Sequence, residues 1–375
     1  MIYLDNAATS LVKPVSVENA VVSAMRSMAS PGRGAHEPAM RAAETVYACR
    51  EAAARLFNVP ECENVVFTMN ATHALNIAVN SLVRPGARVL VSGYEHNSVT
   101  RPLNMLTDNI YTAGSRLFDD ANTLEEFEAK LGRYKPDVVI CTHVSNAFGY
   151  ILPVYEIAEL CRRAAVPLVL DASQSAGTLE LDFTRLSPAF AAMPGHKGLF
   201  GPQGTGILIC GAEARPLLSG GSGSDSISQT MPEYLPERLE AGTHNVCGIA
   251  GLLAGISYVS AVGTETILEH ERRLLARMAG ALSDCEGMEL FCGNKERQSG
   301  VLSIRMRGID CEALAQRLSQ HGICARPGLH CAPYAHRTAG TLDSGTLRFS
   351  FSPFNTEREI DRVTDLLKEI NINLP

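Results

Sequence analysis

No apolar run in this 375-residue chain reaches the roughly 18 residues that a membrane-spanning helix needs. The N-terminus, MIYLDNAATS, carries Asp5 early and lacks the basic-then-apolar order of a secretory signal, so a cytoplasmic location is expected. Basic residues do not predominate: the net charge is −7, and neither a nucleic-acid nor a membrane partner is expected. The 11 cysteines are odd in number and irregular in spacing, which excludes the disulfide framework of a short secreted chain. Internal repeats and low-complexity tracts are absent. What remains is a chain 46% hydrophobic and 19% charged, with ample core and enough length for a large domain plus a smaller one.

Apolar, β-branched runs occur at 64–68, 87–93, 137–144, 167–173 and 205–211, with helical periods such as 72–83 and 154–164 between them. Strands that alternate with helices predict an α/β architecture around a mainly parallel sheet. After about residue 245 the texture changes. A helical stretch over 249–284 passes through Gly263, predicting two helices or a bent one. Short strands at 301–308, 323–328 and 346–354 and helices at 311–320 and 356–371 then predict a smaller α+β domain. The expected boundaries are 16–248 for the large domain, with 1–15 and 249–375 forming the small one. A glycine- and serine-rich loop is expected at 219–226.

Several fragments could carry chemistry. In PGHKGLFGPQGTG (194–206), Lys197 sits between glycines after an apolar strand, and its following glycine rules out a P-loop. A solvated turn lysine is the bland reading. A Schiff-base lysine is the chemical one, because small neighbours admit a flat ring and desolvation frees the amine. In LVLDASQSAG (168–177), Asp171 closes a buried strand, where a carboxylate could accept from a protonated pyridine nitrogen or merely cap a turn. NATHALN (70–76) opens a helix whose N–H groups, with the Thr72 hydroxyl, suit a phosphate or simply a cap. YEHNS (94–98) offers His96 to lie over a flat ring, and THVSNAFG (142–149) offers Asn146. All follow strands, and in a parallel sheet strand ends converge on one edge.

Taken with YLDNAATS, RLEAGTHN and RPGLHCAP, these fragments resemble, in order and over nearly the whole chain, the cysteine desulfurase and selenocysteine lyase group of class-V aminotransferase-fold enzymes. The resemblance implies a PLP-dependent transferase of fold type I, the aspartate aminotransferase-like fold, with pyridoxal 5′-phosphate as cofactor. Lys197 would bond it covalently, Asp171 would pair with its ring nitrogen, Gln174 would meet its phenolic oxygen, and His96 would stack on the ring. Ala71, Thr72 and His196 would hold the phosphate. Thr243 would reach the phosphate of a neighbouring subunit, which implies a homodimer with shared active sites. Asn146, Arg326 and Arg348 would bind an amino-acid substrate, cysteine or selenocysteine. Cys331 would take its sulfur or selenium as a persulfide or selenium equivalent, release alanine and serve a sulfur-acceptor protein. Pro194 departs from the pattern, since many relatives carry a phosphate-binding serine there.

The attack needs a thiolate, and Arg326 and His330 are expected to promote it. The segment 330–345 lacks periodicity and is expected to be a mobile loop. Transamination, racemisation or β-elimination on the same fold stays open, with Cys331 as the discriminator. A zinc site from Cys324, His330, Cys331 and His336 is a weaker alternative whose spacing fits no standard pattern.

Overall fold

The computed structural model describes residues 1–32, 34–223 and 226–372. Ser224 and Asp225 of the expected glycine- and serine-rich loop lie outside the described residues. The chain opens with a two-residue strand, β1 (Ile2–Tyr3), and then enters the large body. Seven strands form its sheet: β2 (Val65–Thr68), β3 (Val89–Ser92), β4 (Ile110–Ala113), β5 (Val138–Thr142), β6 (Leu168–Asp171), β7 (Phe190–Pro194) and β8 (Gly206–Cys210). Their spatial order is β2-β8-β7-β6-β5-β3-β4. Only β8 runs against its neighbours, pairing antiparallel with β2 and β7.

Burial explains why the runs VVFT, VLVS, VVICT and LVLD are continuous rather than alternating: every residue in them is buried, as in a sheet covered on both faces. Each such Val, Leu or Ile contributes roughly 1.5–3 kcal/mol. The edge strand β4, IYTA, is only partly buried and carries no comparable signal.

The predicted break at Gly263 is real. Helices Val246–Val262 and Thr264–Leu282 meet there at 80°, with Gly263 at φ +86°. Val246, Ile249, Leu252 and Ile256 join the large core, whereas Leu274, Leu275, Met278 and Leu282 join the small one. The expected 248/249 boundary lies inside the helix Val246–Val262, and Phe200, Val259 and Ile267 pack together across the bend. Among the described residues no single helix is long and apolar enough to cross a membrane.

The small body holds β9 (Met288–Phe291), β10 (Val301–Met306), β11 (Ile323–Cys324), β12 (Arg326–Gly328) and β13 (Thr346–Ser350). Four of them form an antiparallel sheet in the order β12-β13-β10-β9, while β11 pairs in parallel with β1. The N-terminal strand is thereby built into the small body, and the residues after it cross to the large one.

Candidate active site

The forward-running strands of the large sheet end on one edge, and the predicted residues follow those ends. Ala71 and Thr72 come after β2, His96 after β3, Asn146 after β5, Gln174 after β6, and His196 and Lys197 after β7; Asp171 is the last residue of β6. All of them line one cleft of about 300 Å³. The small body supplies its other wall with Arg326, Cys331 and Arg348. That volume and its convergent polar groups suit a small organic ligand.

Lys197 projects from the turn that joins β7 to β8. Burial lowers its ammonium to about 8, opposed by Asp171 and reinforced by Arg348 and Arg326. A Cβ on Gly195 would lie 2.1 Å from Thr205 Oγ1, and one on Gly198 would lie 2.5 Å from the Ala176 carbonyl. The missing side chains permit this close chain-to-chain packing. Asp171 is buried and accepts the Ser173 N–H at 2.9 Å through Oδ1.

His96 caps the helix Asn97–Asn104, its Nδ1 accepting the Ser98 N–H at 3.1 Å. That bond leaves the ring proton on Nε2. Burial lowers His96 to about 4, against the pull of Asp171, so the ring is neutral at physiological pH. Gln174 donates from Nε2 to the Ala7 carbonyl at 2.9 Å and keeps a second N–H.

At the start of helix Ala71–Leu82, Asn70 Oδ1 accepts the His73 N–H at 2.9 Å. The Ala71 and Thr72 N–H groups have no partner among the described residues, which is the donor set an anion needs. His196 Nδ1 lies 3.1 Å from Thr9 Oγ1, and burial lowers this ring to about 4, aided by Lys197 and Lys13. Pro194 stands in the same wall and offers no hydroxyl. A phosphate-bearing pyridine aldehyde fits these residues: free helix N–H groups, a buried carboxylate across the cleft and a lysine amine between them.

Arg348 is almost fully buried. Its NH1 donates to the Asn146 carbonyl at 2.9 Å and its NH2 to Asp5 Oδ1 at 2.8 Å, while its Nε has no partner. Asn146 Nδ2 donates to the His330 carbonyl at 2.7 Å. Cys331 is exposed at the cleft, and it and His330 both adopt left-handed backbone, at φ +55° and +52°.

Two expectations need correction. His330 does not supply positive charge to Cys331: burial, with Arg348, His336 and Arg326 adding to it, drives this ring down to about 2. The segment 330–345 is not an open loop. It contains helix Pro333–Thr338, with Ala335 and His336 buried and His336 Nδ1 2.7 Å from Thr341 Oγ1. Among the described residues no group of three or more His, Cys, Asp or Glu could hold a metal ion, the set Cys324, His330, Cys331 and His336 included.

Thr243 does not join the cleft. It is exposed in a separate groove of about 790 Å³ beside Glu240 and His244. Glu240 forms a buried bidentate pair with Arg50, at 2.9 and 3.0 Å, and accepts the Phe67 N–H at 2.6 Å, which fastens this segment to β2. Two residues of the site carried no expectation. Asp5 contacts both arginines, and Glu95, buried beside His96, accepts the Thr142 N–H at 2.8 Å. Asp5's partners and the Thr142 partner of Glu95 lie far away in the sequence, so no local pattern signalled either residue.

The profile of the class-V aminotransferases matches residues 2–363. The chain belongs to that family, within its cysteine desulfurase group. A probable cysteine desulfurase from Methanothermobacter thermautotrophicus is 33% identical over 384 residues, covering 98% of this chain and 94% of that one. A cysteine desulfurase from Thermococcus onnurineus, solved without ligand, superposes with TM-score 0.90 at 30% identity, covering 100% of this chain and 95% of its own. One from Escherichia coli, solved as an S-sulfonic acid, gives 0.85 at 26% identity with the same coverage. The class-V aminotransferase family is PLP-dependent, and the expected fold agrees with these neighbours.

Proposed function

We propose that the protein uses pyridoxal phosphate to take sulfur from L-cysteine onto Cys331 and release L-alanine. The observation that carries this reading is the meeting of Lys197, Asp171, Arg348 and Cys331 on one cleft. When bound, the cofactor would supply an aldehyde for amine exchange and a cationic ring that takes up electrons from the substrate's Cα. Lys197 Nζ would hold it and, once displaced by the substrate amine, remove the Cα proton; its lowered basicity leaves a useful neutral fraction near pH 8. Asp171 would keep the ring nitrogen protonated, and His96 would cover the ring face. Ala71, Thr72 and His196 would hold the phosphate.

Arg348 would bind the substrate carboxylate through its free donors, with Asn146 and Arg326 beside it. The Cys331 thiolate then forms a bond to the substrate sulfur as the Cβ–S bond breaks. That bond's electron pair stays with carbon, which gains a proton and leaves as alanine. Cys331 keeps a persulfide, and its exposure lets an acceptor protein collect the sulfur. Thr243 would serve a neighbouring subunit's phosphate in a homodimer, a role supported by its placement in a groove apart from this chain's own Lys197.

The test is product analysis with cysteine and selenocysteine. Wild type should release alanine and reducible sulfur in equal amounts, and Cys331→Ala should lose both from cysteine while keeping the cofactor's visible absorption. Retention of that absorption by Lys197→Ala, or of alanine release from cysteine by Cys331→Ala, sinks the reading.

A further inference from the structure

The N-terminal segment places a carboxylate between two guanidinium groups of the cleft. Asp5 Oδ1 accepts from Arg348 NH2 at 2.8 Å and from Arg326 Nε at 3.1 Å. Oδ2 accepts from Arg326 Nε and NH2, both at 2.9 Å. The two arginines differ in setting: the Arg348 side chain is 2% exposed and that of Arg326 is 48% exposed.

Asp5 is itself held. It bridges to Ser350, Asn6 Nδ2 donates to the Ser350 carbonyl at 2.9 Å, and the Ala7 N–H donates to Ser350 Oγ at 2.8 Å. Ser350 ends β13, the strand that carries Arg348. Carboxylate and guanidinium are thus anchored to the same strand, so their contact does not depend on a drifting surface side chain.

We propose that Asp5 is a positioning residue that orients Arg348 and sets the charge of the carboxylate subsite so that it takes one negative charge and no more. The proposal rests on the reading of Arg348 as the partner of the substrate carboxylate. Two guanidinium groups and one carboxylate leave a single net positive charge, which one α-carboxylate neutralises. Burial makes that balance matter, because an uncompensated charge beside a nearly inaccessible arginine is costly.

Orientation follows from the same bonds. Asp5 and the Asn146 carbonyl each occupy one donor of the Arg348 fork and fix its plane. The second N–H groups of NH1 and NH2 are then held in a set geometry that suits a planar carboxylate, while Nε stays buried without a partner. Without Asp5 the fork would keep only its bond to the Asn146 carbonyl, and the subsite would carry two positive charges. It would then favour dianions over the single α-carboxylate of the amino acid.

The experiment compares the holoenzyme with its Asp5→Asn, Asp5→Glu and Arg348→Lys forms. It reads KM and kcat for cysteine, inhibition by acetate and by malonate, and the cofactor's visible absorption. Asp5→Asn should raise KM at least roughly tenfold with a smaller change in kcat. It should also shift inhibition toward malonate relative to acetate by roughly tenfold, with the absorption unchanged and partial recovery in Asp5→Glu.

The proposal is overturned if KM and the inhibitor ratio of Asp5→Asn stay within about twofold of wild type, or if they move only together with loss of the absorption. Wild type alone is a second check: malonate binding it roughly tenfold better than acetate contradicts a subsite built for one charge. An unchanged KM in Arg348→Lys takes down both the carboxylate reading and this proposal. A raised KM there with an unaltered Asp5→Asn removes only the role of Asp5.

Discussion

The backbone N–H of Asn97 donates to the carbonyl of Cys331 at 2.8 Å, so the cysteine hangs from the first turn of the helix that His96 caps. The same turn thus sets both His96 and Cys331, which on the proposed reading would cover the ring and accept the sulfur. Asn97 is the first helical residue, where proline is well tolerated, and His96 at φ −78°, ψ 156° already has the backbone that a following proline requires. Asn97→Pro should therefore fold with a Tm close to wild type while losing this bond, and the weak 3.4 Å contact of Thr100 Oγ1 with Asn97 Oδ1, and crowding the carbonyl. Persulfide formation in a single turnover, followed by alkylation of Cys331, should slow roughly tenfold or more, because small misplacements of reacting groups are expensive. An unchanged single-turnover rate would show that the bond does not position the thiol.

Burial holds Lys197 at about 8, well below an ordinary lysine. Attack on an aldehyde requires the neutral amine, so protein stripped of cofactor should bond pyridoxal phosphate faster as pH rises, with a midpoint near 8. Below that midpoint the ammonium predominates and the rate falls. Stopped-flow absorbance across pH 6–10 checks this, and a midpoint near that of free lysine, about 10.4, would show that the cleft does not desolvate the amine.

Glu271 lines a small cavity behind the Lys197 turn, has no hydrogen-bond or ion-pair partner among the described residues, and is raised by burial to about 8. An unfolded glutamate titrates near about 4.3. Between the two values the native chain holds a proton that the unfolded chain has lost, so stability is full below the lower value and declines as pH rises toward 8. Glu271→Gln removes this contribution, on the order of a few kcal/mol. Its unfolding midpoint should fall less than that of wild type between pH 5 and 8.5, and parallel pH profiles for the two proteins would refute the assignment. Glu95, raised to about 8 by its own burial, gives both proteins a shared background slope.

The central strands were legible because sheets covered on both faces demand unbroken apolar runs, and the edges that follow them gathered Thr72, His96, Asn146, Asp171 and Lys197 as expected. The half-buried edge strand β4 and the six-residue helix Pro333–Thr338 were not, because neither is long or periodic enough to stand out. The neutral state of His330 escaped for another reason. Sequence places it beside Cys331, but only the fold packs its ring against Thr346 and His336 and away from water. Asp5 is the same kind of case, its partners Arg326 and Arg348 coming from the far end of the chain.

The reversal of β8 bears on stereochemistry. Because β8 returns beside β7, the turn carrying Lys197 is clamped at both ends by the pairing of Pro194 with Gly206 and by the Gly195 N–H donating to the Thr205 carbonyl at 2.8 Å. An amine released from such a clamp can swing only by the length of its own side chain. On the proposed reading it would meet the substrate's Cα from a single side, so a hydrogen removed there and one put back would arrive from the same direction, and the product would keep the handedness of the amino acid that entered.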